Sequence, residues 1–246
     1  MSARLVGVGV GPGDPELLTL KAVRSLQQAQ VVAYFAKAGN PSRARASAAL
    51  FFSPDAIEVP LLYPVTTEHP VSSPTYQNAI TDFFDAAAAS LLTHLQAQRT
   101  VAVLSEGDPL FFGSYMHIHK RLFGKCQIEV IPGVTAMSAC WSAASMPLVH
   151  GDDVLSIIPG SLPQAELTRR LALGEAAVVM KVGRNLGKIR RALLDAGRME
   201  DAVYVERASM EHQQVVPLKR KTDDQAPYFA IVLVGTAWSL EAACAA

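Results

Sequence analysis

The chain has little cysteine, no surplus of charge and no long apolar run, and each shortage narrows what it can do. Cys126, Cys140 and Cys244 are its three cysteines, far apart and without a C-x-x-C pair. That spacing fits unpaired thiols in a reducing compartment better than a disulfide framework, and the cytoplasm is the expected location. Lysine and arginine number 22 and aspartate and glutamate 22, so no global field draws the protein to nucleic acid or to an anionic membrane. An anionic ligand has to be gripped locally. No apolar stretch approaches the length of a membrane span. The N-terminal segment runs straight into glycines and lacks the basic and apolar regions of a signal peptide. Internal repeats and low-complexity tracts are missing too.

What is present is a half-apolar composition over 246 residues, which supplies core for one large domain or two modest ones. Leu5 to Val10 reads as a strand that ends in glycines, and Pro15 to Ala29 places Leu17, Leu18, Leu20, Val23 and Leu26 at helical spacing. Val31 to Phe35 and Ile57 to Leu62 read as further strands, and Ala38 to Arg45 as a basic loop entering a helix. His69 to Pro74 reads as an irregular excursion and Tyr76 to Gln98 as a long alanine-rich helix. Val101 to Leu104 and Ile128 to Ile131 are strands that run into Ser105-Glu106-Gly107-Asp108-Pro109 and Pro132-Gly133-Val134-Thr135.

Strands alternating with helices predict a mostly parallel five-stranded sheet with helices on both faces, its ligands gathered beyond the carboxyl ends of the strands. After His150-Gly151-Asp152-Asp153 the texture changes. Leu155 to Ile158, Ala176 to Val182, Ala202 to Glu206 and Phe229 to Val234 read as strands of a second α/β domain with a mixed sheet, separated by helices and by the polar stretch Lys219 to Pro227. The expected border divides residues 1–133 from 134–246.

The segment Gly7-Val8-Gly9-Val10-Gly11-Pro12-Gly13-Asp14-Pro15 carries enough glycine for its backbone to approach a ligand or a neighbouring element closely. It is not a dinucleotide fingerprint. Counted from Gly7, Pro12 occupies the place of the third glycine; counted from Gly9, Asp14 does. The second strand ends without the acid that would take ribose hydroxyls in a Rossmann fold. No G-x-x-x-x-G-K-[ST] phosphate loop occurs in the sequence. His117 and His119 stand two apart on a helix and point in different directions, so no metal site is expected.

Three ordered motifs carry a resemblance. Val6 to Asp14 with Leu17-Leu18-Thr19-Leu20-Lys21-Ala22, then Glu106-Gly107-Asp108-Pro109, then Ile131-Pro132-Gly133-Val134-Thr135-Ala136, together resemble the tetrapyrrole methylases of the class III family, which use S-adenosylmethionine (SAM). Tyr34 to Arg45, Tyr63-Pro64-Val65-Thr66-Thr67-Glu68, and Leu148 to Asp153 look like the branch that methylates C20 of precorrin-2. Glu106 stands where many relatives of that family place another glycine.

The resemblance implies two α/β domains holding SAM in the cleft between them, and a homodimer. The SAM-contacting positions it implies are Pro12, Glu106, Gly107, Asp108, Thr135 and Ala136, with Met180 and Ala208 in the second domain. Met180 also reads as an ordinary core methionine, and Asp108 as a cap for a helix beginning near Pro109. The sulfonium already activates the methyl, so the protein's tasks are alignment and exclusion of water. C20 of a reduced, electron-rich macrocycle can attack as an enamine carbon and then lose its proton. Asp108, Tyr115 and His150 are the candidate catalytic groups for that proton. The carboxylate-rich substrate calls for local cations, and Lys37, Arg43, Arg45, Lys181 and Arg184 are the candidates, each of which could equally be a solvated surface charge.

Three other readings stay open on the sequence alone. The same methylation could act on cobalt-factor II, the cobalt-containing analogue, because the motifs face the methyl donor and not the centre of the macrocycle. A nicotinamide oxidoreductase would use the glycine loop but for its broken register. A tetrapyrrole carrier would leave the cofactor loops without purpose.

Overall fold

A computed structural model describes residues 3–64 and 73–235 of the chain. Cys244, most of the expected excursion from His69 to Pro74, and Val65 to Glu68 of the Tyr63 to Glu68 motif lie outside the described residues. The chain divides into two compact units, one ending at Thr135 and one beginning at Ala136.

The first unit is a five-stranded parallel sheet made of β1 (Arg4–Gly9), β2 (Val31–Lys37), β3 (Ile57–Tyr63), β4 (Val101–Ser105) and β5 (Gln127–Ile131), in the spatial order β3-β2-β4-β1-β5. Because it is parallel and covered on both faces, its central strands are continuously apolar rather than alternating. Leu5, Val31, Ala33, Val101 and Val103 point to one face. There they meet Phe84, Leu91 and Leu95 of α3 (Pro74–Gln96) and Ile118 and Leu122 of α4 (Tyr115–Leu122). Val6, Val8, Val32, Ala102 and Leu104 point to the other. There they meet Ala22 and Leu26 of α1 (Leu20–Gln28) and Ala44 and Ala48 of α2 (Arg43–Ala48).

The helix expected from Pro15 is shorter than its apolar spacing implied. Asp14 accepts the amide hydrogen of Glu16 at 2.9 Å and sets a tight turn over Pro15–Leu17. Leu18 is then extended, and Thr19 caps a fresh start by accepting from the Ala22 amide at 3.1 Å. Two local hydrogen-bonding side chains thus override a periodicity that ran across them.

The second unit carries α5 (Ala136–Ala143) and a mixed sheet of β6 (Leu155–Pro159), β7 (Ala176–Met180), β8 (Ala202–Glu206), β9 (Gln214–Pro217) and β10 (Ala230–Val234), ordered β6-β7-β10-β8-β9. β6 and β7 are parallel, and the remaining pairs are antiparallel. Two further helices, α6 (Gln164–Leu173) and α7 (Leu186–Asp195), bury Leu167, Leu171, Ile189 and Leu193 against one face of this sheet. β7 stops at Met180, two residues short of expectation, because Lys181 takes the left-handed conformation at φ 57°.

β9 is an addition that the sequence did not announce. It returns along β8 after a turn in which Arg207, Ser209 and His212 all have positive φ. The polar stretch after it is tied down by Arg190, whose guanidinium donates to Asp224 and to the carbonyls of Leu218, Lys221 and Asp223.

Candidate active site

The sheet order puts β4, β1 and β5 side by side, so the three loops that follow them leave the same edge together. The first loop is stitched to the second by two backbone hydrogen bonds, Val10 N–H to Ser105 O at 3.0 Å and Gly107 N–H to Gly11 O at 2.8 Å. The second meets the third where glycines leave room for close backbone contact. A Cβ on Gly9 would stand 2.5 Å from the Gly133 amide nitrogen and 2.7 Å from the Gly107 carbonyl oxygen, and one on Gly133 would collide with that same oxygen. Hydrogen at these two positions is what lets three backbones share one point.

Asp108 fastens the junction. One carboxylate oxygen accepts from the Gly133 amide at 3.2 Å and the other from the Leu110 amide at 2.9 Å. The expected helix near Pro109 does not form; α4 starts at Tyr115. Asp108 therefore caps a turn and braces two loops. Ser47 of α2 adds a brace from behind by donating to the Gly13 carbonyl at 3.0 Å. Pro12 between these ties is buried.

Tyr115, the second candidate for the proton, lies in the core of the first unit. Its ring is fully buried and packs directly beneath Gly7, where any Cβ would fall inside the ring. Its hydroxyl lies 3.3 Å from His119 Nδ1, and burial pushes the phenol pKa up, with Cys126 adding to the rise. His150 is exposed and opens the turn to Asp153, which brings the chain to the amino end of β6. Met180 ends β7 and Ala208 follows β8, so both lie at the edge of this sheet opposite His150.

Of the cations expected to meet the substrate, Arg45 is already engaged. Its guanidinium forks onto Glu58 of β3 at 2.5 and 2.8 Å and lies over the Tyr34 ring, 5.9 Å from its centroid. The hydrogen bond from Arg45 holds the Glu58 carboxyl below its ordinary pKa. Arg45 is thus a brace between α2 and β3. Arg43, exposed on the first turn of α2, instead sets its charge against Glu106. Lys37 is exposed at the end of β2; Lys181 and Arg184 are exposed just beyond β7.

Glu106 is exposed, but protein atoms crowd its carboxyl. That loss of water raises its pKa, opposed by the Arg43 charge and by the Ala44 amide that donates to it. In the second unit, Ala136, Met180 and Ala208 converge on one apolar cluster with Cys140, Val178 and Val205. Met180 is only half-buried there, so part of its thioether remains available to a flat apolar ligand. Thr135 ends the third loop and the first unit, and Ala136 opens α5 and the second.

His117 stacks on Phe84 at a centroid distance of 4.2 Å, and His119 Nδ1 lies 3.3 Å from the Tyr115 hydroxyl. Among the described residues no cluster of three or more His, Cys, Asp or Glu could hold one. Among the same residues, no helix is long and apolar enough to cross a membrane.

A parallel sheet with three glycine-bearing loops at one edge, followed by a mixed-sheet unit, is the architecture of a particular group of enzymes, and residues 4–222 match the Tetrapyrrole (Corrin/Porphyrin) Methylases: the chain belongs to that family. It is 61% identical over 231 residues to a precorrin-2 C(20)-methyltransferase of Sinorhizobium sp, covering 94% of each chain. It is 27% identical to the cobalt-precorrin-2 C(20)-methyltransferase of Salmonella typhimurium, covering 97% of this chain and 98% of that one. Among solved structures, a uroporphyrin-III C-methyl transferase of Thermus thermophilus complexed with S-adenyl homocysteine superposes with a TM-score of 0.66 at 27% identity. That match covers 94% of this chain and 97% of the other.

Proposed function

We propose that this chain transfers the methyl of SAM to C20 of precorrin-2, giving precorrin-3A and S-adenosylhomocysteine in cobalamin biosynthesis. The observation that carries the reading is 61% identity to a precorrin-2 C(20)-methyltransferase along 94% of both chains. The lower identity, 27%, to an enzyme named for the cobalt-containing substrate favours the metal-free one.

The residues present fit the methyl donor. The junction of Gly9, Gly107 and Gly133 keeps the three loops bare of side chains where backbone amides can meet a carboxylate or a ribose hydroxyl. Ala136, Met180 and Ala208 offer the apolar wall that an adenine needs. When bound, SAM supplies a methyl already activated by its sulfonium. The protein's share is then to hold geometry and keep water away. Asp108 fixes the loops, and Arg43, with Lys37, Lys181 and Arg184, takes the carboxylates that rim the macrocycle. The working protein is a homodimer of the cytoplasm in this reading.

The test is carbon NMR of the product made anaerobically from precorrin-2 and SAM bearing a labelled methyl, with the cobalt-chelated substrate in parallel. A labelled methyl on C20 of the metal-free product supports the reading. Label on the cobalt form alone moves the enzyme to cobalt-factor II, and label on neither refutes both.

A further inference from the structure

We propose that Glu106 accepts the proton that C20 releases after methylation, a catalytic role that rests on the reaction proposed above. The carboxylates around the three loops narrow the choice. Asp14 closes the turn onto the Glu16 amide, Asp108 is bound to two amides, and Glu58 is locked by Arg45. Tyr115 is sealed in the core and His150 lies at the other edge of its own sheet from Met180. Glu106, directly before the Gly107 that bridges to Gly11, is the more exposed of the two carboxylates in the second loop, Asp108 being half-buried.

Its surroundings suit a base. Crowding by protein makes the ionised carboxylate a stronger proton acceptor than it would be in water, while the Arg43 charge and the Ala44 amide keep it ionised until a proton is offered. Arg43, on α2, is the charged group set against it.

The bookkeeping of the step closes without a co-reactant. A carbon–carbon bond forms at C20 as the sulfur–methyl bond breaks, and the thioether leaves neutral. C20 then carries both the new methyl and its original hydrogen, and the macrocycle carries the positive charge that came with the methyl. Breaking the C20–H bond returns its electron pair to the macrocycle and sends the proton to the Glu106 carboxylate, which passes it to water.

Glu106→Gln is the discriminating variant, because its amide oxygen still accepts from Ala44 but takes no proton. With precorrin-2 bearing hydrogen or deuterium at C20, kcat is expected to fall about a hundredfold or more. The deuterium isotope effect is expected to rise above that of the wild type as proton removal becomes rate-limiting. Glu106→Asp, which keeps a carboxylate on a shorter stem, should recover part of the rate. The urea-unfolding midpoints of both variants should match that of the wild type and so report an intact fold. A Glu106→Gln enzyme with near-normal kcat, an unchanged isotope effect, or equal losses in the two variants overturns the assignment. Failure of the wild type to methylate precorrin-2 sinks the proposed reaction instead.

Discussion

The carboxylate of Asp108 and the amide of Gly133, 3.2 Å apart, join the second loop of the site to the third. Asp108→Ala strips an acceptor from Gly133 and from Leu110 at once. Since a hydrogen bond to a charged group contributes about 1.5–3 kcal/mol, S-adenosylhomocysteine should bind about tenfold or more weakly. Equilibrium dialysis checks this, and unchanged affinity removes Asp108 from the brace.

Gly133→Ala asks a rigid carbonyl, that of Gly107, to move out of the way. Overpacking against backbone costs about 1–3 kcal/mol, and here the shift also spreads the loops. Urea unfolding should show the lower stability and calorimetry a weakened S-adenosylhomocysteine complex. Wild-type behaviour in both would mean that the loops do not meet as described.

Tyr115→Phe removes only the hydroxyl that lies beside His119. Its expected effect is a kcat within about twofold of the wild type and a stability change of about 1 kcal/mol. A tenfold or larger fall in kcat would restore Tyr115 to the chemistry.

Arg43 and Arg45 should part company. Arg43→Ala is expected to raise the KM for the tetrapyrrole more than that for SAM, whereas Arg45→Ala leaves both KM values near normal because Glu58 already fills its fork. Steady-state kinetics on the two variants decides, and a larger tetrapyrrole KM effect from Arg45→Ala would invert the assignment.

The same ion pair has a pH signature. Glu58 has a lowered pKa in the folded state, first through its hydrogen bond from Arg45. Its stabilisation is therefore present above the ordinary glutamate value of 4.5 and is lost as pH falls through the folded-state value. For a partly exposed pair this is about 1 kcal/mol at most. Urea unfolding of the wild type and Glu58→Gln should differ at neutral pH and converge in acid; a constant gap would exclude the linkage.

The strands were legible because buried parallel strands are written as uninterrupted apolar runs; Ala202–Glu206 matches its expected limits. β9 was not, since Gln214–Pro217 is four residues with a proline and too short to show a period. At the site, glycine content marked the three loops. What it could not show is that Gly9, Gly107 and Gly133 touch, because that follows from β1 lying between β4 and β5. Arg45 misled for a similar reason: its partner comes from a different strand, and a sequence shows a charge without showing what neutralises it. Glu106 was read as a SAM-contacting position, and the Arg43 charge and Ala44 amide set against its carboxyl come from a helix that its own loop does not reveal.

The central place of β1 also sets an order of events during synthesis. β1 emerges first, yet both of its neighbours come late, and β2 and β3 must wait for β4 before they join it. The first glycine loop is thus made long before residues 107 and 133 exist to hold it. Long-range pairings of this kind close slowly, so the nascent chain carries a bare apolar strand and an unfinished site until β5 leaves the ribosome. In a cell, the junction of Gly9, Gly107 and Gly133 is one of the last features the first unit acquires.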